Sequence, residues 1–148
     1  MADFDTKKLR KECILSLDVG SKTIGIARGN QERGIGTPMM VLRRKSVKKD
    51  STRLAEICQQ HNVAIVVVGL PYNLDGSEGR SAKLARQVGE ALGALTRLPI
   101  FYQDEQFSTL EASRRLSEAG VSAKKQKSRI DQAAAAVILE DWFRANAT

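Results

Sequence analysis

Apolar positions along the chain follow two rhythms. From Ile14 to Val19, Ile, Leu and Val crowd a run too short for a free-standing helix, which predicts a buried strand. Gly20-Ser21-Lys22 supplies turn chemistry, and Thr23 to Ala27 resumes with β-branched residues, so the two halves predict a hairpin. Asn30 to Gly34 reads as a second turn. Ile35 to Leu42 reads as a third strand, which Pro38 pushes toward a sheet edge. Val63 to Gly69 is apolar without interruption, as in a parallel strand covered on both faces, and Pro99 to Gln103 is a short fifth strand.

The helical rhythm begins near Asp50 or Ser51, with Leu54, Ile57, Cys58 and His61 on one face and Asn62 able to end it. The loop Leu70 to Gly79 is too long for a simple joint. A second helix follows from about Arg80 to Thr96, with Leu84, Val88, Leu92 and Leu95 turned inward. Ser108-Thr109-Leu110-Glu111 has capping-box spacing and predicts a helix that stops near Gly120. Val121 to Arg129 reads as a polar, basic connector. The last helix, from about Ile130 to Ala145, carries Ala133, Ala134, Val137, Ile138 and Trp142 on one wide face. The order β-β-β-α-β-α-β-α-α predicts an antiparallel hairpin unit continued by two right-handed βα crossovers. That is an α/β fold with a five-stranded mixed sheet flanked by helices, the topology expected of an RNase H-like domain. Residues 1–11 read as a polar leader and residues 12–148 as one domain.

Charge adds a partner. The 148 residues carry a net charge of +7, which points to a polyanion, and the aromatic share of 5% leaves few stacking platforms, so recognition should run through backbone phosphates. Cys13 and Cys58 form neither a disulfide framework nor a CxxC pair. With no signal peptide and no apolar run long enough to span a bilayer, the expectation is a cytoplasmic protein with reduced thiols and no membrane role.

Three acids stand where chemistry could lie: Asp18 ends the first strand, Glu105 follows the fifth, and Asp131 opens the last helix. Singly, Asp18 could serve a turn and Glu105 could be a solvated charge beside Asp104. Asp131 could steady a helix N-terminus for about 0.3–1 kcal/mol. Jointly they differ, because strand ends and a helix start can converge at one end of a sheet. Three such carboxylates repel one another, and two Mg²⁺ or Mn²⁺ ions would relieve that repulsion while driving phosphodiester hydrolysis.

The stretches LSLDVGSKTIGIA, VGLPYNLDGSEG, YQDEQFSTLEA and IDQAAAAVILE, in this order over nearly the whole chain, resemble the YqgF, or RuvX-like, family of bacterial RNase H-fold proteins. Its members are described as Holliday junction resolvases and as nucleases of small-subunit ribosomal RNA precursors. The resemblance implies that Asp18, Glu105 and Asp131 occupy the family's acidic-triad positions and hold the metal ions. It implies a hydrolase acting on ester bonds, in 5′-end maturation of the 16S precursor or in resolving branched DNA. The family commonly has Asp-Glu-Arg where this chain has Asp104-Glu105-Gln106, which puts one candidate phosphate contact in doubt and leaves the metal ligands in place.

Lys22, Asn73, Arg80, Lys124, Lys125, Lys127 and Arg129 are candidate nucleic-acid contacts, as is the basic run Arg43, Arg44, Lys45, Lys48 and Lys49. His61 has no partner set for nucleophilic catalysis and reads as structural. Two other classes compete. Asp18 to Thr23 also resembles the first phosphate loop of actin-like ATPases and sugar kinases, but those need a second domain. A non-catalytic binding module would gain nothing from three carboxylates facing a polyanion. A junction resolvase makes two symmetric cuts and implies a two-fold dimer. With no surplus amphipathic helix to build one, the expectation is a monomer or weak homodimer acting on ribosomal precursor particles.

Overall fold

In the computed structural model, which describes residues 11–73, 75–105 and 108–147, with backbone alone at 108–110 and 123–128, the strands pair in the order β3-β2-β1-β4-β5. β1 (Cys13–Val19), β2 (Thr23–Asn30) and β3 (Ile35–Arg43) form the antiparallel meander. β4 (Val63–Leu70) lies parallel to β1, and β5 (Ile100–Asp104) parallel to β4. The helices described are α1 (Val47–Gln60), α2 (Arg80–Thr96), α3 (Ser108–Glu118) and α4 (Ala123–Ala145).

Alternation along β1 sorts the layers, since successive side chains of a strand face opposite ways. Leu15, Leu17 and Val19 join Ile24, Ile26, Val66, Val68 and Leu70 on one face, where Leu54 and Ile57 of α1 and Val88 and Leu92 of α2 cover them. Ile14, Ser16 and Asp18 point to the other face, toward α4. There Ile14 and Val67 meet Ile138, Leu139, Trp142 and Phe143, and the Ser16 hydroxyl donates to the Ala135 carbonyl at 2.7 Å.

Small residues let α4 lie this close. A Cβ built on Gly25 would stand 2.0 Å from the Asp131 carbonyl oxygen, and one on Gly36 would stand 2.5 Å from that of Ala136. Helix backbone therefore rests directly on strand backbone, and the alanines at 133–136 keep the approach open. α3 covers the outer side of α4 through Ala112 and Leu116, so α4 is buried all round from Ala133 to Leu139.

Several boundaries depart from the sequence reading. α1 starts at Val47, capped by Ser46, whose hydroxyl accepts from the Lys49 N–H at 3.1 Å; Asp50 is engaged elsewhere and does not open the helix. His61 caps its C-terminus beside Asn62, which has a positive φ of 51°, and His61 Nδ1 lies 3.1 Å from an Arg28 guanidinium nitrogen. Leu95, expected to face inward, is 56% exposed, because it borders an open cleft with Ala55, Cys58 and Gln59 of α1. The expected connector over 121–129 is helical from Ala123 onward. Both cysteines are free, and burial pushes the Cys58 thiol up to about 11. Among the described residues no helix is long and apolar enough to cross a membrane. The leader to residue 10 and Gln106 lie outside the described residues.

Candidate active site

Asp18 belongs to β1, directly opposite Gly25 of β2. On the other side of β1, Leu17 pairs with Val68, so Asp18 stands beside Gly69 at the carboxyl end of β4. β5 ends one step further, and its continuation is anchored where the Glu105 N–H donates to the Leu70 carbonyl at 3.1 Å. Gly69 leaves room for the carboxylate there: a Cβ on it would lie 2.9 Å from Glu105 Cδ. From above, α4 sets the Asp131 backbone on Gly25. Asp18, Glu105 and Asp131 thus meet on one face at one end of the sheet.

Their electrostatics follow from that placement. Burial, opposed by a hydrogen bond with the Glu105 carboxyl and reinforced by the Asp131 charge, pushes Asp18 from the ordinary 3.8 up to about 6. The Asp18 and Glu105 carboxyls thus stand hydrogen-bonded to each other. The Asp131 carboxylate accepts a hydrogen bond from the Thr23 hydroxyl, the first residue of β2. Among the described residues no three acidic, histidine or cysteine side chains already stand as an ion-holding group. Asp131 is turned to Thr23, and gathering the three carboxylates on a cation means turning it away. The donor set itself, carboxylate oxygens drawn from three separate elements, is that of hard divalent cations.

Asp131 sits more than two turns inside α4. The first-turn dipole reading of this aspartate therefore fails, since that effect fades within one turn. The preceding residues carry α4 past Thr23, roughly 12 Å beyond Asp131 at the helical rise per residue. Lys124, Lys125 and Lys127 belong to these turns by backbone, and Arg129 is exposed there. Lys22 is exposed in the β1–β2 turn and Arg80 at the start of α2, both at the acidic end. Asn73 is exposed but engaged within its own loop. Its Nδ2 donates to Ser77 Oγ at 3.0 Å, its N–H donates to the Ser77 carbonyl at 2.8 Å, and the loop closes through a bridge between Tyr72 and Glu78.

Three contributors are invisible to residue patterns. Thr23 orients Asp131, Gly25 admits α4, and Arg44 departs from the basic run in which the sequence placed it. Its side chain is buried, pairing with buried Asp50 at 3.0 Å and donating to the Gly20 carbonyl at 3.2 Å. Asp50 also accepts from the Lys45 N–H at 2.9 Å, and the Arg44 N–H donates to the Lys22 carbonyl at 2.9 Å. The pair ties the turn that follows Asp18 to the start of α1. Neither the Thr23–Asp131 contact nor the Arg44–Asp50 pair had a signal in the sequence.

The raised Asp18 carries a consequence for stability. The unfolded chain releases this proton near 3.8 and the folded, metal-free protein holds it to about 6, so stability falls as pH rises across that window and stays low above it. The difference is worth at most roughly 3 kcal/mol. Asp18→Asn removes the ionisation. In chelator at pH 7.5 its Tm is expected to exceed the wild-type value by several degrees, with the gap closing at pH 4. A Tm equal to or below wild type at pH 7.5 would refute the assignment of that penalty to Asp18.

A family model described as "RuvX: Holliday junction resolvase" matches residues 12–145. A protein of Bartonella tribocorum named "Putative pre-16S rRNA nuclease" is 41% identical over 135 residues, spanning 91% of this chain and 86% of that protein. One of the same name from Anaeromyxobacter is 41% identical over 129 residues, spanning 87% and 94%. Among solved structures, RuvC of T. thermophilus in complex with Holliday junction substrate superposes with a TM-score of 0.58 at 14% identity, covering 90% of this chain and 94% of that one. The fowlpox virus resolvase in complex with substrate Holliday junction DNA gives 0.60 at 10% identity, covering 92% and 99%. These two likenesses show the fold, which is RNase H-like.

Proposed function

The chain belongs to the RuvX family and is a nuclease, and from that premise we propose that it hydrolyses phosphodiester bonds in the precursor of 16S ribosomal RNA, at the 5′ end, with two divalent metal ions held by Asp18, Glu105 and Asp131. The observation that supports this most is the meeting of the three carboxylates at one sheet end, two of them hydrogen-bonded to each other. Mg²⁺ or Mn²⁺, when bound, would polarise the scissile phosphate and activate water. The remaining roles belong to the chain. Asp18 and Glu105 would offer their adjoining carboxyl oxygens to the cations. Thr23 holds the Asp131 carboxylate until a cation draws it in, and Gly25 and Gly69 keep backbone and carboxylate close. Lys22, Arg80 and Arg129, exposed around the acids, would hold phosphates on either side of the cut, with Lys124, Lys125 and Lys127 further along α4.

The name shared by relatives at about 41% identity favours the ribosomal precursor, while the description of the family model favours a four-way DNA junction. Both substrates suit the same acids, and the choice rests on the products. Purified protein with Mg²⁺ is expected to shorten precursor 16S RNA at its 5′ end and to leave a synthetic four-way junction intact. Paired symmetric nicks in the junction with the precursor untouched would replace this reading with resolution by a dimer. Asp18→Asn should be inert on both.

A further inference from the structure

The loop between β4 and α2 is tied down more closely than a surface connector needs. Asn73 Nδ2 donates to Ser77 Oγ at 3.0 Å, Ser77 Oγ donates to the Asp75 carboxylate at 2.5 Å, and the Ser77 N–H adds a second bond to it at 2.9 Å. These bonds stay within the loop. Glu78 reaches outside it: its two carboxylate oxygens accept from the Arg86 guanidinium of α2, from Nε at 2.6 Å and from Nη2 at 2.9 Å. The same guanidinium lies 4.8 Å over the ring of Tyr102 in β5. α2 meets that ring again one turn further along, where a Cβ on Gly89 would stand 2.6 Å from the Tyr102 hydroxyl. Arg86 and Gly89, three residues apart, share the helix face that lies over Tyr102. A planar guanidinium suits this double contact, with one edge forked to a carboxylate and one face stacked on a ring.

Both segments that Arg86 joins lead to Glu105. The loop leaves β4 after Leu70, whose carbonyl accepts from the Glu105 N–H, and a Cβ on Gly69 would stand 3.0 Å from Glu105 Oε2. Tyr102 stands three residues before Glu105, on the strand that delivers it. Glu78 stands two residues before Arg80, so holding its carboxylate also sets where that exposed cation stands. Stability is a weak reason for the arrangement. The Arg86 and Glu78 side chains are 39% and 32% exposed, and ion pairs so placed contribute little to folding. A loop ordered before substrate arrives, in contrast, spares the binding step the cost of ordering it. We infer that Arg86 and Glu78 are positioning residues of the acidic site: their pair ties residues 72–78, and with them Arg80, to α2 and β5, so that a nucleic-acid strand entering beside Glu105 meets a preformed edge. This inference rests on the proposed nuclease reading and adds two residues to it. The Arg53–Glu56 pair is also exposed but lies within α1 alone, which makes it the reference.

The test measures kcat and KM of full-length protein with Mg²⁺ on RNA spanning the 5′ end of the 16S precursor, or on the four-way junction should that be what it cuts. Arg86→Ala and Glu78→Gln change the charge in opposite directions, so a field effect alone would raise KM in the first and lower it in the second. Loss of the anchor predicts one direction. Each variant is expected to raise KM roughly tenfold, as when the binding-competent loop falls to about a tenth of the population, with kcat within about twofold. The double variant should be no worse than either single one. Arg86→Lys, which keeps the charge without the fork, should recover only part of the loss. Amide hydrogen exchange across residues 71–79 should quicken in Arg86→Ala and Glu78→Gln, while each Tm stays within about 3 °C of wild type. Arg53→Ala should leave KM and that exchange unchanged. Opposite KM shifts, an unmoved KM, additive losses in the double variant or an equal KM rise in Arg53→Ala would each overturn the anchor while the nuclease reading stands. Wild-type protein that cuts neither the RNA nor the junction would overturn both.

Discussion

Asp18→Asn is expected to lower single-turnover cleavage by roughly 10³-fold or more, about 4 kcal/mol of transition-state stabilisation, with RNA affinity unchanged or higher. The carboxylate contributes in two ways that the amide cannot. It supplies an anionic oxygen between Gly25 and Gly69, where the Glu105 carboxyl already bonds to it, and it gives up a proton when a cation arrives. The amide keeps the shape and loses both. Binding is spared because a negative charge facing a polyanion has been removed. A variant that cuts at the wild-type rate would show that Asp18 is not a ligand; one that loses cleavage and binding together would show that it holds the fold instead.

The second large effect concerns a residue with no side chain. In Gly25→Ala the new methyl would fall 2.0 Å from the Asp131 carbonyl oxygen and 2.2 Å from its carbon. Neither is the far end of a flexible side chain, so α4 must move by more than an ångström. Overpacking of this kind costs about 1–3 kcal/mol, and displacement of a reacting group by an ångström can cost about 10²-fold in rate. Gly36→Ala provides the contrast, since it presses α4 at Ala136, more than a turn further along the helix. Both variants should melt earlier than wild type. Only Gly25→Ala should lose activity at temperatures where it is still folded. Equal residual activity in the two would separate Asp131 from the β2 contact.

The order of elements was legible because burial on both faces leaves long β-branched runs. β1 and β4 read as strands for that reason, and the Gly20–Lys22 and Asn30–Gly34 turns followed from residues suited to tight turns. The three acids were legible as strand-end and helix-associated positions. Their shared face was not, because it depends on alternation counted from Ser16, whose burial against the Ala135 carbonyl no pattern announces. The depth of Asp131 in α4 was missed because the turns before it are lysine-rich and show no apolar stripe, even though the backbone continues as helix. Arg44 was misread for a similar reason. In a run of cations, one that turns inward to a buried aspartate looks like its exposed neighbours.

The most direct measurement is calorimetric titration of Mn²⁺ into the wild-type protein, alone and with bound RNA. Asp18→Asn, Glu105→Gln and Asp131→Asn proteins would be titrated in parallel. Carboxylates from β1, from the end of β5 and from α4 that act as one centre predict divalent binding in the wild type. Each single substitution should then weaken that binding at least about tenfold, or 1.4 kcal/mol. Wild-type protein that takes up no divalent ion even with RNA bound, or substitutions that leave the binding untouched, would contradict the account.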